Sequence, residues 1–222
     1  MLDWHTIDTV LLDMDGTLLD LHYDNHFWME YLPQRYADIH GHTVSDAKQH
    51  LHQRIAAEHG SLNWYCLDYW SEQLQLDIPA LKREIDHMIT IRPYVIDFLT
   101  QLQQSGKQLL LVSNAHRQSL NIKLDRTGIG RFFSNIVVSH DYRAAKEDPA
   151  FWHHLHAHHP FDRHRTLLID DNESVLDSAH RYGIQHLLTL LQPDSHQPVR
   201  VRTSFPVIHH FDELLPGLQE GK

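Results

Sequence analysis

The chain has 222 residues with 41% hydrophobic and 22% charged residues, a composition typical of a folded globular protein. Its formal net charge of −10 argues against nucleic acid or an anionic membrane surface as the main partner. The single cysteine, Cys66, excludes an intramolecular disulfide, and the first apolar run is too short for a signal peptide or a membrane span, so we expect a cytoplasmic protein.

Five short apolar runs predict the strands of one buried parallel sheet. Each run is nearly continuous in leucine, isoleucine and valine, as expected of strands covered by helices on both faces. Amphipathic segments at 95–104, 116–127 and 174–182 end before glycines and predict the connecting helices. The predicted strands are 9–13, 108–113, 135–139, 166–170 and 186–190.

The interval from residue 20 to residue 91 interrupts this alternation. It contains helix-like segments at 25–36, 45–59, 64–74 and 79–88 but no good strand. An insertion directly after the first strand would lie over the carboxyl ends of the strands, where ligands bind in open α/β sheets.

The sequence therefore predicts an α/β fold with a Rossmann-like parallel sheet. Residues 1–19 and 92–222 would form the sheet domain, and residues 20–91 would form a helical cap inserted after the first strand. The tail beyond residue 192 is predicted as loop with one short helix near 211–215.

Histidine is frequent, with 22 residues in the chain. His154 and His158 are four residues apart and would share one face of a helix, so they are candidate metal ligands. Short histidine motifs have low specificity, and a solvated helix face that gains charge as the pH falls is the preferred interpretation.

Two carboxylates, Asp13 and Asp15, follow the first predicted strand in the sequence LLDMDGT. A turn is one explanation, because Asp-Gly pairs are common in turns. Polar residues near the ends of other strands favour a functional explanation, since parallel strands end at one edge of a sheet. These residues are Ser113 and Asn114 after the second strand, Lys146 beyond the third, and Asp170 and Asp171 at the end of the fourth.

This set of side chains has a defined chemistry. Carboxylates from two strands repel each other unless a cation neutralises them, and an all-oxygen site suits Mg²⁺. A lysine and a serine hydroxyl beside the metal would bind an anion. The sequence therefore predicts phosphoryl transfer with Mg²⁺ as the cofactor.

The order and spacing of these residues resemble the four motifs of the haloacid dehalogenase-like superfamily of phosphohydrolases. The motif residues are DxDGT at 13–17, Ser113 with Asn114, Lys146 in KEDP, and Asp170 and Asp171 followed by Asp177. The resemblance implies that Asp13 attacks phosphorus to give an aspartyl-phosphate, and that Asp15 acts first as general acid and then as base. The dehalogenases of the superfamily lack this second aspartate, so its presence favours phosphate esters over haloacids.

The resemblance also implies the ligands of the metal. Mg²⁺ is expected to be held by the Asp13 side chain, the Asp15 backbone carbonyl and Asp171. Asp170 is expected as a further ligand or close by, although many members of the superfamily have glycine at its position.

The remaining motif residues are expected to bind the phosphoryl group. Ser113 and the backbone at Asn114 would bind its oxygens, and Lys146 would offset the negative charge of the intermediate. Asp177 would orient Lys146 or the metal shell. Many members have proline after the motif lysine, where this chain has Glu147.

The predicted cap is rich in aromatic residues, in NHFW at 25–28 and NWYCLDYW at 63–70. Their near-helical spacing fits a helix core, and their faces also suit stacking on a nucleobase. Together with the motifs, these blocks resemble a narrower group, the bacterial purine 5′-nucleotidases that hydrolyse GMP and IMP. This resemblance implies a small-molecule phosphate ester, a purine nucleotide, as the substrate.

Two alternatives remain open. A phosphatase acting on a sugar phosphate or phosphoglycolate would carry the same motifs. A binding or regulatory protein would keep the fold without turnover, but such proteins usually lose a catalytic carboxylate, and Asp13, Asp15 and Asp171 are all present.

Overall fold

The computed structural model of the protein describes residues 2–219 and contains one six-stranded parallel sheet. The strand order is β3-β2-β1-β4-β5-β6, so the order reverses beside β1. This architecture confirms the predicted α/β fold with a Rossmann-like sheet. The strands are β1 (Thr9–Leu12), β2 (Gln108–Ser113), β3 (Asn135–Val138), β4 (Thr166–Ile169), β5 (His186–Leu190) and β6 (Val207–Ile208).

The first five strands begin at the residues that the sequence predicts, and three of them end one residue earlier. Strand β6 lies in the tail that was predicted as loop, so that part of the prediction was wrong. Its two residues are too few to give a periodic pattern.

Alternation along the strands divides the apolar core into two layers. Val10 and Leu12 of β1 pack in the larger layer, whereas Leu11 between them packs in the layer on the opposite face. Helices cover both faces, which explains why the strands are continuously apolar. The helices are α1 (His22–His26), α2 (Leu32–His40), α3 (Val44–Ala57), α4 (Leu67–Leu74), α5 (Ile78–Glu84), α6 (Val95–Gln104), α7 (Arg117–Thr127), α8 (Ser139–Tyr142), α9 (Pro149–His158), α10 (Glu173–Tyr182) and α11 (Leu215–Gln219).

Helices α1 to α5 all lie between β1 and β2 and are called the inserted helices below. A π-helical turn, Phe27–Tyr31, joins α1 to α2, and the continuous helical stretch ends at Gly41, whose φ of 69° suits a helix C-terminus. The sequence prediction of a helix at 25–36 was therefore too short at both ends.

The two chain segments that lead into and out of the inserted helices are paired with each other. Leu19 and Ile91 form an antiparallel bridge, and the backbone N–H of Arg92 donates to the carbonyl of Leu18 at 3.0 Å. The inserted helices thus begin and end at one place beside β1. In residues 2–219, none of the helices has the length and apolar character needed to cross a membrane.

Candidate active site

The candidate site lies where β1 and β4, which are hydrogen-bonded neighbours, reach their carboxyl ends. Asp13 follows β1 directly, and Asp170 and Asp171 follow β4. Ser113 is the last residue of β2 on the other side of β1. The strand order reverses at β1, and such a reversal opens a crevice in which α/β proteins bind ligands.

Lys146 is buried between two of these carboxylates. Its Nζ lies 2.5 Å from Asp13 Oδ1 and 2.7 Å from Asp170 Oδ2, and it donates to the carbonyl of Val112 at 3.0 Å. Burial lowers the pKa of Lys146, but the two carboxylates outweigh burial and raise it, so the lysine is charged. Burial raises the pKa of Asp13 to about 6, against the opposing effect of Lys146.

The backbone around Lys146 is fixed by side chains from two other segments. Asn114 Oδ1 accepts a hydrogen bond from the Lys146 N–H at 2.9 Å, and Trp152 Nε1 donates to the Lys146 carbonyl at 2.9 Å. Arg143, with a φ of 53°, turns the chain into the left-handed region just before the lysine. The backbone of Lys146 is therefore held at both its N–H and its carbonyl group, and this positions the side chain that carries the ammonium group.

Oxygen atoms of Asp13, Asp170 and Asp171 lie within 4.8 Å of one another. Gly16 allows the DxDGT loop to lie close to the Asp171 carboxylate, because a Cβ at residue 16 would lie 2.7 Å from the carboxyl carbon of Asp171. Burial and the charges of Asp13 and Asp170 raise the pKa of Asp171 well above its ordinary value. These three aspartates form the one group of at least three possible metal ligands that is found among the described residues. All of its donor atoms are oxygens, which suits a hard cation.

The two aspartates after β4 differ in their partners. Asp170 accepts from Lys146 and, at 2.9 Å, from the backbone N–H of Asn172. The Asp171 carboxylate has only a distant contact with Arg200, 3.8 Å from Oδ2, within residues 2–219. Asp171 is therefore the carboxylate of the pair that is free to bind a cation.

Asp15 belongs to a second group of charges that the sequence did not reveal. Lys123 Nζ on α7 lies 2.7 Å from Asp15 Oδ1 and 2.7 Å from Asp24 Oδ2 on α1. Lys82 Nζ on α5 lies 2.9 Å from Asp24 Oδ1. Burial raises the pKa of Asp15 to about 6, against the opposing charge of Lys123. The one available sequence signal was weak: Lys123 is three residues from Leu120, and both are buried on α7.

The residues predicted to bind the phosphoryl group have different tasks in the structure. Ser113 Oγ accepts from the N–H of Ala115 at 3.0 Å, so its own proton is available to an anion in the cavity. The Asn114 amide nitrogen donates to Glu147 at 2.8 Å and its oxygen accepts from the Lys146 N–H, so both polar atoms of the side chain have partners within the protein.

Glu147 is a further residue whose position the sequence did not explain. Its Oε1 accepts from the Tyr65 hydroxyl at 2.8 Å and from Asn172 Nδ2 at 3.1 Å, and its Oε2 accepts from Asn114. Tyr65 ends a short helical turn, Leu62–Tyr65, between α3 and α4 of the inserted helices, whereas Asn114 and Asn172 follow strands of the sheet. Glu147 thus joins the inserted helices to the residues that hold Lys146.

A cavity of about 660 Å³ lies between the inserted helices and the sheet edge. Asp13, Asp15, Ser113, Lys146 and Asp171 line its sheet side. The remaining lining includes aromatic and cationic side chains, among them Trp28, Trp64, Tyr65, Trp70, Lys82, Lys123, Arg200 and Arg202. Trp70 is fully buried, as in a helix core, whereas Trp28 and Trp64 are only partly buried.

Two minor predictions have different outcomes. Asp177 is exposed while its neighbours Val175 and Leu176 are buried, so the predicted contact with Lys146 was wrong, and a role near the metal stays a prediction. The buried residues of α10 carry no charge, and Asp170 takes the predicted role of orienting Lys146. His154 and His158 lie on α9, where the Nδ1 of His158 contacts the carbonyl of His154 at 2.9 Å, and neither belongs to a cluster of three ligands within residues 2–219.

A parallel sheet with three carboxylates, a buried lysine and a serine at its carboxyl edge defines the class of α/β phosphohydrolases. The chain belongs to the haloacid dehalogenase-like hydrolase family, whose model matches residues 7–183. This match confirms the resemblance seen in the motifs.

Known relatives agree with this assignment. The chain is 40% identical, over 97% of its own length and of the relative's, to the GMP/IMP nucleotidase YrfG of Escherichia coli (strain K12). It is 26% identical to a phosphoglycolate phosphatase of Mesorhizobium japonicum, over 95% of this chain and 94% of the relative. The protein is accordingly an enzyme, a phosphoric monoester hydrolase.

Solved structures share the fold. A HAD phosphatase from Thermococcus onnurineus superposes with a TM-score of 0.79 at 18% identity, covering 94% of this chain and 96% of the other. At that identity the likeness describes the fold alone.

Proposed function

We propose that this enzyme hydrolyses the purine nucleoside 5′-monophosphates GMP and IMP to nucleoside and inorganic phosphate. The observation that carries the proposal is the 40% identity to a GMP/IMP nucleotidase over 97% of both chains. The cavity supports it, because partly buried Trp28 and Trp64 offer aromatic faces to a nucleobase beyond the phosphate site.

In the first step, Asp13 attacks phosphorus and forms an aspartyl-phosphate as the ester P–O bond breaks. Asp15 donates its proton to the departing 5′-oxygen, so the nucleoside leaves as an alcohol. The charged Lys146 and the hydroxyl of Ser113 stabilise the negative charge on the phosphoryl oxygens.

In the second step, water attacks the phosphorus of the aspartyl-phosphate. Asp15, now a carboxylate, takes the proton of this water, and the P–O bond to Asp13 breaks. Inorganic phosphate leaves and both aspartates return to their starting states. Because one group serves as acid and then as base, the pKa of about 6 that burial gives Asp15 is suitable for both steps.

We further propose Mg²⁺ as the cofactor, held by the Asp13 side chain, the Asp15 carbonyl and Asp171. The charge of the cluster fits a cation, since three carboxylates share only Lys146 at close range among the described residues. Mg²⁺ would screen the phosphate charge from the nucleophile. We expect Asp170 to hold Lys146 in place of direct coordination, because both of its oxygens have partners.

We also propose that residues 20–91 act as a cap domain on a sheet domain of residues 1–19 and 92–222, and that the reaction is cytoplasmic. A cap over the site would exclude water that could hydrolyse the acyl phosphate out of turn. The bond between Tyr65 and Glu147 supports this role, because it joins the inserted helices to the residues around Lys146.

The test is phosphate release by the purified protein with Mg²⁺ across nucleoside monophosphates, sugar phosphates and phosphoglycolate, with Asp13→Asn as the control. We expect preference for GMP and IMP, and loss of turnover in Asp13→Asn. A preference for phosphoglycolate or a sugar phosphate would agree with the proposed mechanism and contradict the proposal that purine nucleotides are the substrates. No release from any ester by folded protein would favour the regulatory alternative.

A further inference from the structure

Four buried or partly buried side chains of alternating charge connect the inserted helices to the DxDGT loop. Lys123 Nζ lies 2.7 Å from both Asp15 Oδ1 and Asp24 Oδ2, and Lys82 Nζ lies 2.9 Å from Asp24 Oδ1. Lys123 belongs to α7, which follows β2, whereas Asp24 and Lys82 belong to α1 and α5 of the inserted helices. The series therefore crosses the boundary between the two parts of the molecule.

The two lysines occupy positions at which an apolar residue would be expected. Both are almost completely inaccessible to solvent, and Lys82 Nζ lies 4.3 Å from the ring centroid of Phe27 and 4.8 Å from that of Tyr23. Burying a charge is costly even when it is paired, and replacing buried ion pairs with apolar side chains of similar volume often leaves a protein equally stable or more stable. Packing alone therefore does not explain the charges.

Asp15 depends on this series for its orientation. Its Oδ1 is buried, and the ion pair with Lys123 at 2.7 Å is the close polar contact of this atom among the described residues. Contact at Oδ1 leaves Oδ2 available to carry the proton that the leaving oxygen receives. Asp24, which the inserted helices supply, accepts a hydrogen bond from the same ammonium group at 2.7 Å.

We propose that Lys123 is the positioning residue of Asp15, and that Asp24 fixes Lys123 when the inserted helices lie over the sheet. This rests on the proposed function, because that function gives Asp15 its acid and base roles. The acid is thus correctly oriented only while the inserted helices cover the site.

A pair of substrates with equal recognition and different leaving groups tests the inference. IMP releases an alkoxide that needs a proton, whereas its analogue with sulfur in place of the 5′-bridging oxygen releases a thiolate that does not. Lys123→Met should lower the ratio of kcat/KM for IMP to kcat/KM for the analogue by about 30-fold, within the range of general acid catalysis. A merely structural role would lower both values equally.

A double-mutant cycle with Asp15→Asn completes the test. Asp15→Asn alone should lower the same ratio, and adding Lys123→Met to it should change the ratio by less than about 2-fold. Should Lys123→Met fail to fold, the near-isosteric Asp24→Asn provides the same measurement, with a smaller selective loss expected.

Equal losses on both substrates, or an unchanged effect of Lys123→Met in the Asp15→Asn background, would overturn this inference and leave the proposed function intact. Failure of the wild-type enzyme to hydrolyse IMP would overturn the proposed function, and this inference with it.

Discussion

The hydroxyl of Tyr65 donates a hydrogen bond to Glu147 at 2.8 Å, across the boundary between the inserted helices and the sheet edge. Glu147 also receives a hydrogen bond from Asn114, whose oxygen holds the backbone of Lys146. A movement of Tyr65 away from the sheet edge would therefore break a contact with the residue next to Lys146.

The first prediction concerns this contact. Tyr65→Phe should lower kcat/KM for a nucleotide by about 10-fold or more, because a hydrogen bond to a charged group contributes about 1.5–3 kcal/mol. Tyr69→Phe is the matched control, because Tyr69 donates to Glu58 at 2.6 Å within the inserted region and away from the cavity. The measurement is kcat/KM from steady-state kinetics. Equal kcat/KM for the two variants would show that the Tyr65 contact does not affect catalysis.

The second prediction is that the acidic cluster destabilises the metal-free enzyme. Asp171→Asn should raise the free energy of unfolding in the presence of a chelator by about 1 kcal/mol, which corresponds to roughly 2–4 °C in Tm. The reason is that burial, Asp13 and Asp170 all oppose the charge of Asp171. Added Mg²⁺ should raise the Tm of the wild type and have little effect on that of the variant.

Asp177→Asn makes the same chemical change on the exposed face of α10 and serves as the control. Its free energy of unfolding should differ from that of the wild type by no more than about 0.5 kcal/mol, the range of ordinary surface substitutions. A lower Tm for Asp171→Asn than for the wild type in chelator would contradict the prediction.

The third prediction is a pH dependence of that stability difference. The pKa of Asp171 is raised in the folded state from an ordinary value of 3.8, so the folded protein binds the proton more tightly than the unfolded chain. Wild-type stability is therefore lost as the pH rises from about 4 through the folded pKa. The charges that face Asp171 are Asp13, Asp170, Arg200 and Lys146.

The measurement is Tm in chelator as a function of pH for the wild type and Asp171→Asn. The advantage of the variant should be small at about pH 3, where the Asp171 carboxyl is mostly protonated in both the folded and the unfolded state, and it should grow as the pH rises above about 4. An advantage that does not change with pH would mean that side-chain packing, and not charge, is responsible.

The fourth prediction concerns the aromatic lining of the cavity. Trp64→Ala should raise KM for GMP or IMP by about 10-fold, since stacking of a base on an aromatic ring contributes about 1–3 kcal/mol. Hydrolysis of phosphoglycolate, which has no base, should change little. The variant keeps the Trp64 carbonyl that accepts from Trp70 Nε1 at 3.1 Å, so the local backbone is retained. A similar rise in KM for both substrates would indicate a packing defect instead of lost stacking.

Several features of the protein follow from sequence alone because their signals are local. Buried strands are short continuous apolar runs, so the first residue of each of the five long strands was predictable. Asp13, Ser113 and Asp170 meet because parallel strands end at one edge, and the motif order then identified the family.

Other features depended on contacts between distant parts of the chain. Asp24 is 58 positions from Lys82 and 99 positions from Lys123, and no periodic pattern links them. Glu147 looked like a departure from a motif until the structure placed Tyr65 against it. Sequence determined the strands, the motif residues that follow them and the family, since each is encoded within a few neighbouring residues. Only tertiary structure decided how Asp15 is held and how the inserted helices reach the site, because those contacts arise from packing across the whole chain.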